Sequence, residues 1–227
     1  MHLRAIAIPG IALTLALWSK PAGDLDAVLA RIDKASATFR GMSAHARRLS
    51  HTDVINEDNV DSGTMLLKRS HPRDIRMLVD LTQPDPKTVA LQGRKLEIYY
   101  PKMQVVDEYD VGKRRELLDQ FFLLGFGTSR ADLVDAYDIV LAGPDPIAGQ
   151  KADRLELIPK SKDVRQHLNK LELWISAAGY PIQQKFYLPG GDYMVVTYSD
   201  MKINPDLPDA ALKLQLPKNV KREYPQK

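Results

Sequence analysis

The chain has 227 residues, no cysteine, 44% hydrophobic and 27% charged residues, and a formal net charge of +3. The length allows one large domain or two small ones, and the composition is that of a globular protein. The absence of cysteine excludes a disulfide framework, a thiol nucleophile, a thiolate metal site and a lipid-bearing N-terminal cysteine.

The first segment reads as an export signal. Met1-His2-Leu3-Arg4 is a short basic region, and Ala5 to Leu17 is uncharged and almost wholly apolar. Thirteen residues are too few for a membrane span of about 20 but suit a signal-peptide core of about 7–15. Cleavage is expected within Ser19 to Ala22, so residues 1–22 are assigned to the signal and 23–227 to one exported domain.

Asp24 to Phe39 follows helical spacing, with Leu25, Val28, Leu29, Ile32, Ala35 and Phe39 on one face, Asp24 as N-cap and Gly41 as stop. Alternation then dominates: residues 64–69, 95–100, 171–175 and 193–199 read as strands. Turn signals lie at Asn56-Glu57-Asp58-Asn59, Gln92-Gly93, Ala178-Gly179 and Gly190-Gly191. Strands joined by turns this short imply an antiparallel sheet, here of about ten strands. Gly112 to Tyr137 interrupts the alternation. Lys113 to Phe122 reads as a short helix, and Ser129 with Asp132 as a capping box opening a second helix over Ala131 to Tyr137. The insert is dense in apolar residues: Leu117, Leu118, Phe121, Phe122, Leu123, Leu124 and Phe126. A helix apolar on most of its surface is buried or covers something apolar. An open sheet of this size tends to curl or split, and helices laid over a concave face would cap it. The pattern fits a lidded apolar cavity and an ordinary α+β core equally well.

No catalytic arrangement is legible. There is no Gly-x-Ser-x-Gly elbow, and no two histidines share a helical face. Gly143 to Lys151 lacks the spacing of a phosphate-binding loop and reads as a β-turn connection. His51-Thr52-Asp53 offers two ligands on one side of a strand, a weak metal signal. Asp107-Glu108-Tyr109-Asp110 reads as a solvated rim, and Lys113-Arg114-Arg115 with Lys218, Lys221 and Arg222 as exposed basic stretches. The reading is therefore of a non-enzyme without a cofactor or metal and without nucleic-acid binding. Met65, Met77, Met103, Met194 and Met201 could supply adaptable lining or plain core.

The order of motifs resembles the periplasmic outer-membrane lipoprotein carriers of the LolA type, within the LolA/LolB-like superfamily. Leu29 to Ala35 looks like the family's opening helix, and Ser62 to Pro72 like its Gly-x-Leu-x-x-Lys-Arg-Pro strand. Leu91 to Pro101 is similar to its Asp-Gly-x-x-Leu-x-x-Tyr-x-Pro hairpin, and Asp209 to Pro217 to its Asp-x-x-Phe-x-Phe-x-x-Pro close. The chain departs at Ser70-His71, which separate Arg69 from Pro72, at Gln92, and at Leu212 and Leu214.

The resemblance implies an incomplete, unclosed antiparallel β-barrel of α+β, mainly β, class, with an α-helical lid over a hydrophobic cavity. It implies a monomeric carrier of the acyl chains of lipoproteins or lipids. Such a carrier takes cargo from an inner-membrane lipoprotein-releasing transporter to an outer-membrane acceptor and touches the membrane surface transiently. It places a lid latch at Arg69, with cavity or lid candidates at Leu117, Leu118, Phe121, Phe122, Leu124, Phe126, Met65 and Leu67. The alternatives are a lipid- or lipoprotein-sensing regulatory module on the same fold and a carrier of a non-protein lipid.

Overall fold

The computed structural model describes residues 24–71, 74–112 and 124–225. The signal segment, the helix expected over Lys113 to Phe122 and the basic run Lys113-Arg114-Arg115 lie outside the described residues.

Helix α1 (Leu25–Thr38) starts where Asp24 caps it, the Asp24 carboxylate accepting from the Asp26 amide at 3.0 Å. Its apolar stripe is buried through Val28, Leu29, Ile32 and Ala35. Gly41 is not the helix stop. The helix ends at Phe39 in extended conformation, and Gly41 opens the first strand, where a Cβ would lie 2.5 Å from the Leu67 carbonyl oxygen. Close passage of two backbones is the reason for glycine there.

Twelve strands form one sheet: β1 (Gly41–Thr52), β2 (Glu57–His71), β3 (Asp74–Gln83), β4 (Lys87–Gln92), β5 (Lys95–Tyr100), β6 (Val105–Asp110), β7 (Tyr137–Pro144), β8 (Ala152–Pro159), β9 (Lys170–Ser176), β10 (Pro181–Tyr187), β11 (Tyr193–Ile203) and β12 (Lys221–Glu223). Their spatial order is β12-β6-β5-β4-β3-β2-β1-β11-β10-β9-β8-β7, so the sheet has two ends and is not closed. Among the described residues every pairing is antiparallel except the three-residue β12–β6 pair. The first turn comes earlier than its sequence signal. Asp53 to Asn56 makes the reversal, with Asn56 left-handed at φ 48, and Glu57 to Asn59 already belong to β2. The expected connection over Gly143 to Lys151 is shorter: Gly143 and Pro144 end β7, and residues 145–151 make the hairpin turn, bridged between Ile147 and Gln150.

Period-2 alternation assigns one set of residues to the concave face. On β1 to β4 these are Met42, Ala44 and Ala46, then Leu67 and Met65, then Met77 and Val79, then Leu91 and Val89. On β8 to β10 they include Leu155, Leu157, Leu171, Leu173 and Phe186, which pack with α1. Helix α2 (Arg130–Ala136) begins with the expected capping box of Ser129 and Asp132 and buries Leu133 against the same cluster. Asp33 of α1 accepts from the Arg130 amide at 2.9 Å, and Arg130 pairs with Asp26, so the two helices are fastened together. A single-turn helix, α3 (Lys162–Arg165), links β8 and β9.

The C-terminal segment recrosses the convex face. Lys68 donates to the Leu207 carbonyl at 2.9 Å, Gln92 to that of Leu212 at 2.7 Å, and β12 then pairs with β6. Asp209 bridges Lys68 and Arg76, and these two cations hold its carboxyl below the usual carboxylate range. Arg222 is not solvated tail but pairs with Glu97 and Glu108, each at 2.9 Å.

Candidate functional site

The two halves of the concave face are filled differently. Over β7 to β10, helices α1 and α2 pack down on leucines. Over β1 to β4, β10 and β11, a cavity of about 280 Å³ remains. Its wall comes from Ala46 and Arg48 of β1, Met65 of β2, Met77, Val79 and Leu81 of β3, Val89 of β4, Gln184 and Phe186 of β10, and Met194, Val196 and Tyr198 of β11. The space exists because Ala46 faces Gly63 across the β1–β2 pair, so the middle of the face has almost no side-chain volume.

The two ends of the cavity differ. At one end Met65, Met77, Ala46 and Tyr198 are buried. At the other, Val79, Val89, Met194 and Val196 are half-buried. Residues 124–127 of the insert stand behind the buried end as its stopper, touching the lining residues Gln184 and Tyr198. Phe126 is fully buried, its ring 6.0 Å from Phe39, 6.5 Å from Tyr180 and edge-on to Tyr198 at 5.3 Å. Two side chains of the sheet hold carbonyls of this stopper. Gln184 donates from Nε2 to the Leu124 oxygen at 2.7 Å, while its own Oε1 accepts from the Tyr198 hydroxyl at 2.6 Å. Arg69 donates from Nη1 to the Gly127 oxygen at 2.7 Å. Burial pushes the Tyr198 phenol well up, so it stays protonated and keeps donating. Gly127 has φ +88, a conformation that favours glycine, and a Cβ there would also lie 3.0 Å from the Phe39 ring and push the end of the Arg69 side chain aside.

The sequence candidates fall as follows. Met65 lines the cavity, and Phe126 packs edge-on behind the lining residue Tyr198. Leu67 is fully buried in the core around the stopper, and Leu124 is buried in the cluster under α1. Leu117, Leu118, Phe121 and Phe122 lie outside the described residues. Arg69 is half-buried and bonded to the stopper. Of the methionines, Met65, Met77 and Met194 line the cavity, Met201 packs on the core and Met103 is 63% exposed. His51 stacks on Tyr193 at 4.6 Å and bonds Asp58 at 2.8 Å, and no ligand cluster for a metal occurs among the described residues. Glu108 and Asp110 of the acidic rim are bound up in ion pairs with Arg222 and Arg94.

Sequence reasoning missed Gln184, Tyr198, Arg48 and Asp61. The alternation of β11 separates Met194, Val196 and Tyr198 from Tyr193, Val195 and Thr197, but period alone does not say which set faces inward.

No family model matches the chain, and neither does any curated protein sequence. Solved structures do. An uncharacterized conserved protein from Thermus thermophilus is 14% identical, with 88% of this chain and 98% of that one covered, at a TM-score of 0.53. MucB is 15% identical with a TM-score of 0.52, over 88% of this chain and 66% of MucB's length. A LolA superfamily protein from Nitrosomonas europaea is 18% identical over 83% of this chain and 97% of that one, with a TM-score of 0.40. The likeness is one of fold alone, carried by the Thermus thermophilus protein and MucB. The unclosed antiparallel sheet with helices on its concave face is the fold class expected from the sequence.

Proposed function

We propose that this protein is a periplasmic carrier that hides the acyl chains of lipoproteins in the concave-face cavity. It would receive them from an inner-membrane transporter and pass them to an outer-membrane acceptor. The observation that carries the reading is the cavity itself: a mainly apolar wall around a space of about 280 Å³, backed at one end by a segment hung on two side chains. Exposing an acyl chain costs about 0.8 kcal/mol per CH2, so cargo must be covered to cross water. It must also leave without an energy source, and the unbranched Met65, Met77 and Met194 give a wall that adapts rather than grips. Native mass spectrometry of protein purified from envelopes, with lipid extraction, tests this. Copurifying acyl species, and mislocalised lipoproteins on depletion, are expected. A protein free of lipid whose loss leaves sorting unchanged would overturn the reading.

Within this reading Arg69 is the latch. A hydrogen bond from a charged donor contributes about 1.5–3 kcal/mol, and the Arg69–Gly127 bond must break if cargo displaces the stopper. Arg69→Leu should fold and still accept lipid, but hand it to an acceptor at least about tenfold more slowly, which is about 1.4 kcal/mol on the transfer barrier. Transfer from the loaded variant at the wild-type rate would remove the latch.

The reading also assigns the membrane contact. Val54 is 89% and Ile55 63% exposed in the β1–β2 turn, at the end of the sheet where the cavity wall becomes half-buried, and Met103 is exposed in the β5–β6 turn at that same end. Burying one such aliphatic side chain contributes about 1.5–3 kcal/mol. The double change Val54→Ser, Ile55→Ser should cut cosedimentation with phospholipid vesicles at least about tenfold without moving the melting temperature. Undiminished cosedimentation would exclude this turn as the contact.

A further inference from the structure

The half-buried end of the cavity carries charge, whereas the rest of its wall is apolar but for Gln184 and the Tyr198 hydroxyl. Arg48 lines the cavity itself, two residues along β1 from Ala46. Directly opposite on β2 is Asp61, only 5% exposed. The Asp61 carboxylate accepts from Arg48 Nε at 3.0 Å and from its Nη2, and from Lys87 Nζ at 3.3 Å. Lys87 begins β4, two residues before the lining residue Val89. All three side chains therefore project from the concave face, beside Leu81, Val89 and Val196.

Stability alone does not explain the triad. A buried ion pair is often replaceable by apolar groups at no cost, and its neighbours here are apolar. One carboxylate neutralises one cation. Arg48 already meets Asp61 through two nitrogens, and Asp85, the other carboxylate that acts on Lys87, is itself paired with Lys102 at 2.7 Å, so Lys87 leaves the cluster with one positive charge in excess. Lys87 and Arg48 keep solvent access, their side chains being 26% and 35% exposed. Charge placed at the edge of a low-dielectric cavity acts more strongly than on an open surface.

We propose that Arg48, Asp61 and Lys87 form an anion subsite that selects amphiphiles with a single negative charge on the head group. The inference rests on the cavity being an acyl site. The head group would sit at Lys87 and Arg48, with the chain running along β1 past Ala46 toward Phe126. Asp61 sets the selectivity by cancelling one of the two cations, so that a monoanion, not a dianion, completes the balance.

The test uses the intact protein and lipids with identical acyl chains: phosphatidylglycerol, with one negative charge, and diacylglycerol, with none, each titrated against a displaced fluorescent fatty-acyl probe. The wild type should prefer phosphatidylglycerol by about tenfold, the scale of one partly screened charge. Lys87→Gln leaves Asp61 paired with Arg48 and should bring the ratio near one. Asp61→Asn should raise the ratio, and Lys87→Arg should preserve it. A merely structural triad would not give opposite signs in Lys87→Gln and Asp61→Asn. Inorganic phosphate added alone separates the sources. Displacement of phosphatidylglycerol but not of diacylglycerol shows that the subsite takes the free anion, and a preserved preference without displacement shows that it needs the tethered head group. Equal affinity for the two lipids in the wild type, or a ratio unmoved by Lys87→Gln, would overturn the subsite and leave the carrier reading standing. Failure to bind either lipid would overturn both.

Discussion

Phe126→Ala should destabilise the protein by about 3–5 kcal/mol, the usual cost of removing a large buried aromatic. Phe126 has no exposed surface, and three aromatic rings, Phe39, Tyr180 and Tyr198, converge on it from α1, the β9–β10 turn and β11. Pairs of rings at these separations add about 0.5–1.5 kcal/mol beyond area burial. The loss should be near the upper end, because the void would open between a helix and a sheet that are each hydrogen-bonded in place and cannot collapse onto it. Tyr180, for instance, is tied through its hydroxyl to the Ala35 carbonyl at 3.1 Å, and Tyr198 through its own to Gln184. Urea denaturation should show a lower midpoint with an unchanged slope, the signature of lost stability without a change in the surface exposed on unfolding. Phe126→Leu should cost less than the alanine change. A cost below about 1 kcal/mol for Phe126→Ala would mean that the 124–127 segment is not a packed stopper, and the latch role of Arg69 would lose its object.

The stopper also shows what the sequence made legible and what it did not. Local chemistry was readable: the Asp24 cap of α1, the Ser129–Asp132 capping box of α2, and the alternation of β5, β9 and β11 each depend on residues within a few positions of one another. Gly41 was misread because a glycine two residues past a helix looks the same whether it ends that helix or makes room for a strand passing 2.5 Å from its missing Cβ. Strand β1 has Ala44, Ala46, Arg47 and Arg48 where β-branched residues would mark a strand, and it is a strand because β2 and β11 pair with it on both sides. The site was least legible, since its polar parts meet across long separations. Gln184 and Leu124 are 60 residues apart, Arg69 and Gly127 58, and Lys87 and Asp61 26. Arg69 was found through a motif. Gln184, Arg48 and Asp61 carry no motif and became visible only once the sheet placed them on its concave face.

Ala46→Phe should weaken acyl-chain binding while leaving the fold as stable as before, and Ala44→Phe should destabilise the fold while sparing binding. The two alanines lie on the same strand and the same face, two residues apart, and both are buried, at 5% and 4% exposure. They differ in what stands before them. Ala44 faces Met65 across the β1–β2 pair and, unlike Ala46 of the same buried cluster, does not line the cavity. Ala46 faces Gly63 and looks into the empty space. A ring added at position 44 overpacks a filled core, which costs about 1–3 kcal/mol. A ring added at position 46 enters the cavity, where the contacts it gains offset the strain, since each Å³ of void in a core costs about 24 cal/mol. Occupying the middle of the space should weaken lipid binding more than about tenfold, equivalent to about 1.4 kcal/mol, or nearly two CH2 groups denied cover. Thermal melting and probe displacement on the two variants read the two effects separately. If Ala46→Phe bound lipid as tightly as the wild type, the acyl chains would have to lie elsewhere on the concave face. If instead it unfolded as readily as Ala44→Phe, the space before Ala46 would be too small to hold a chain at all.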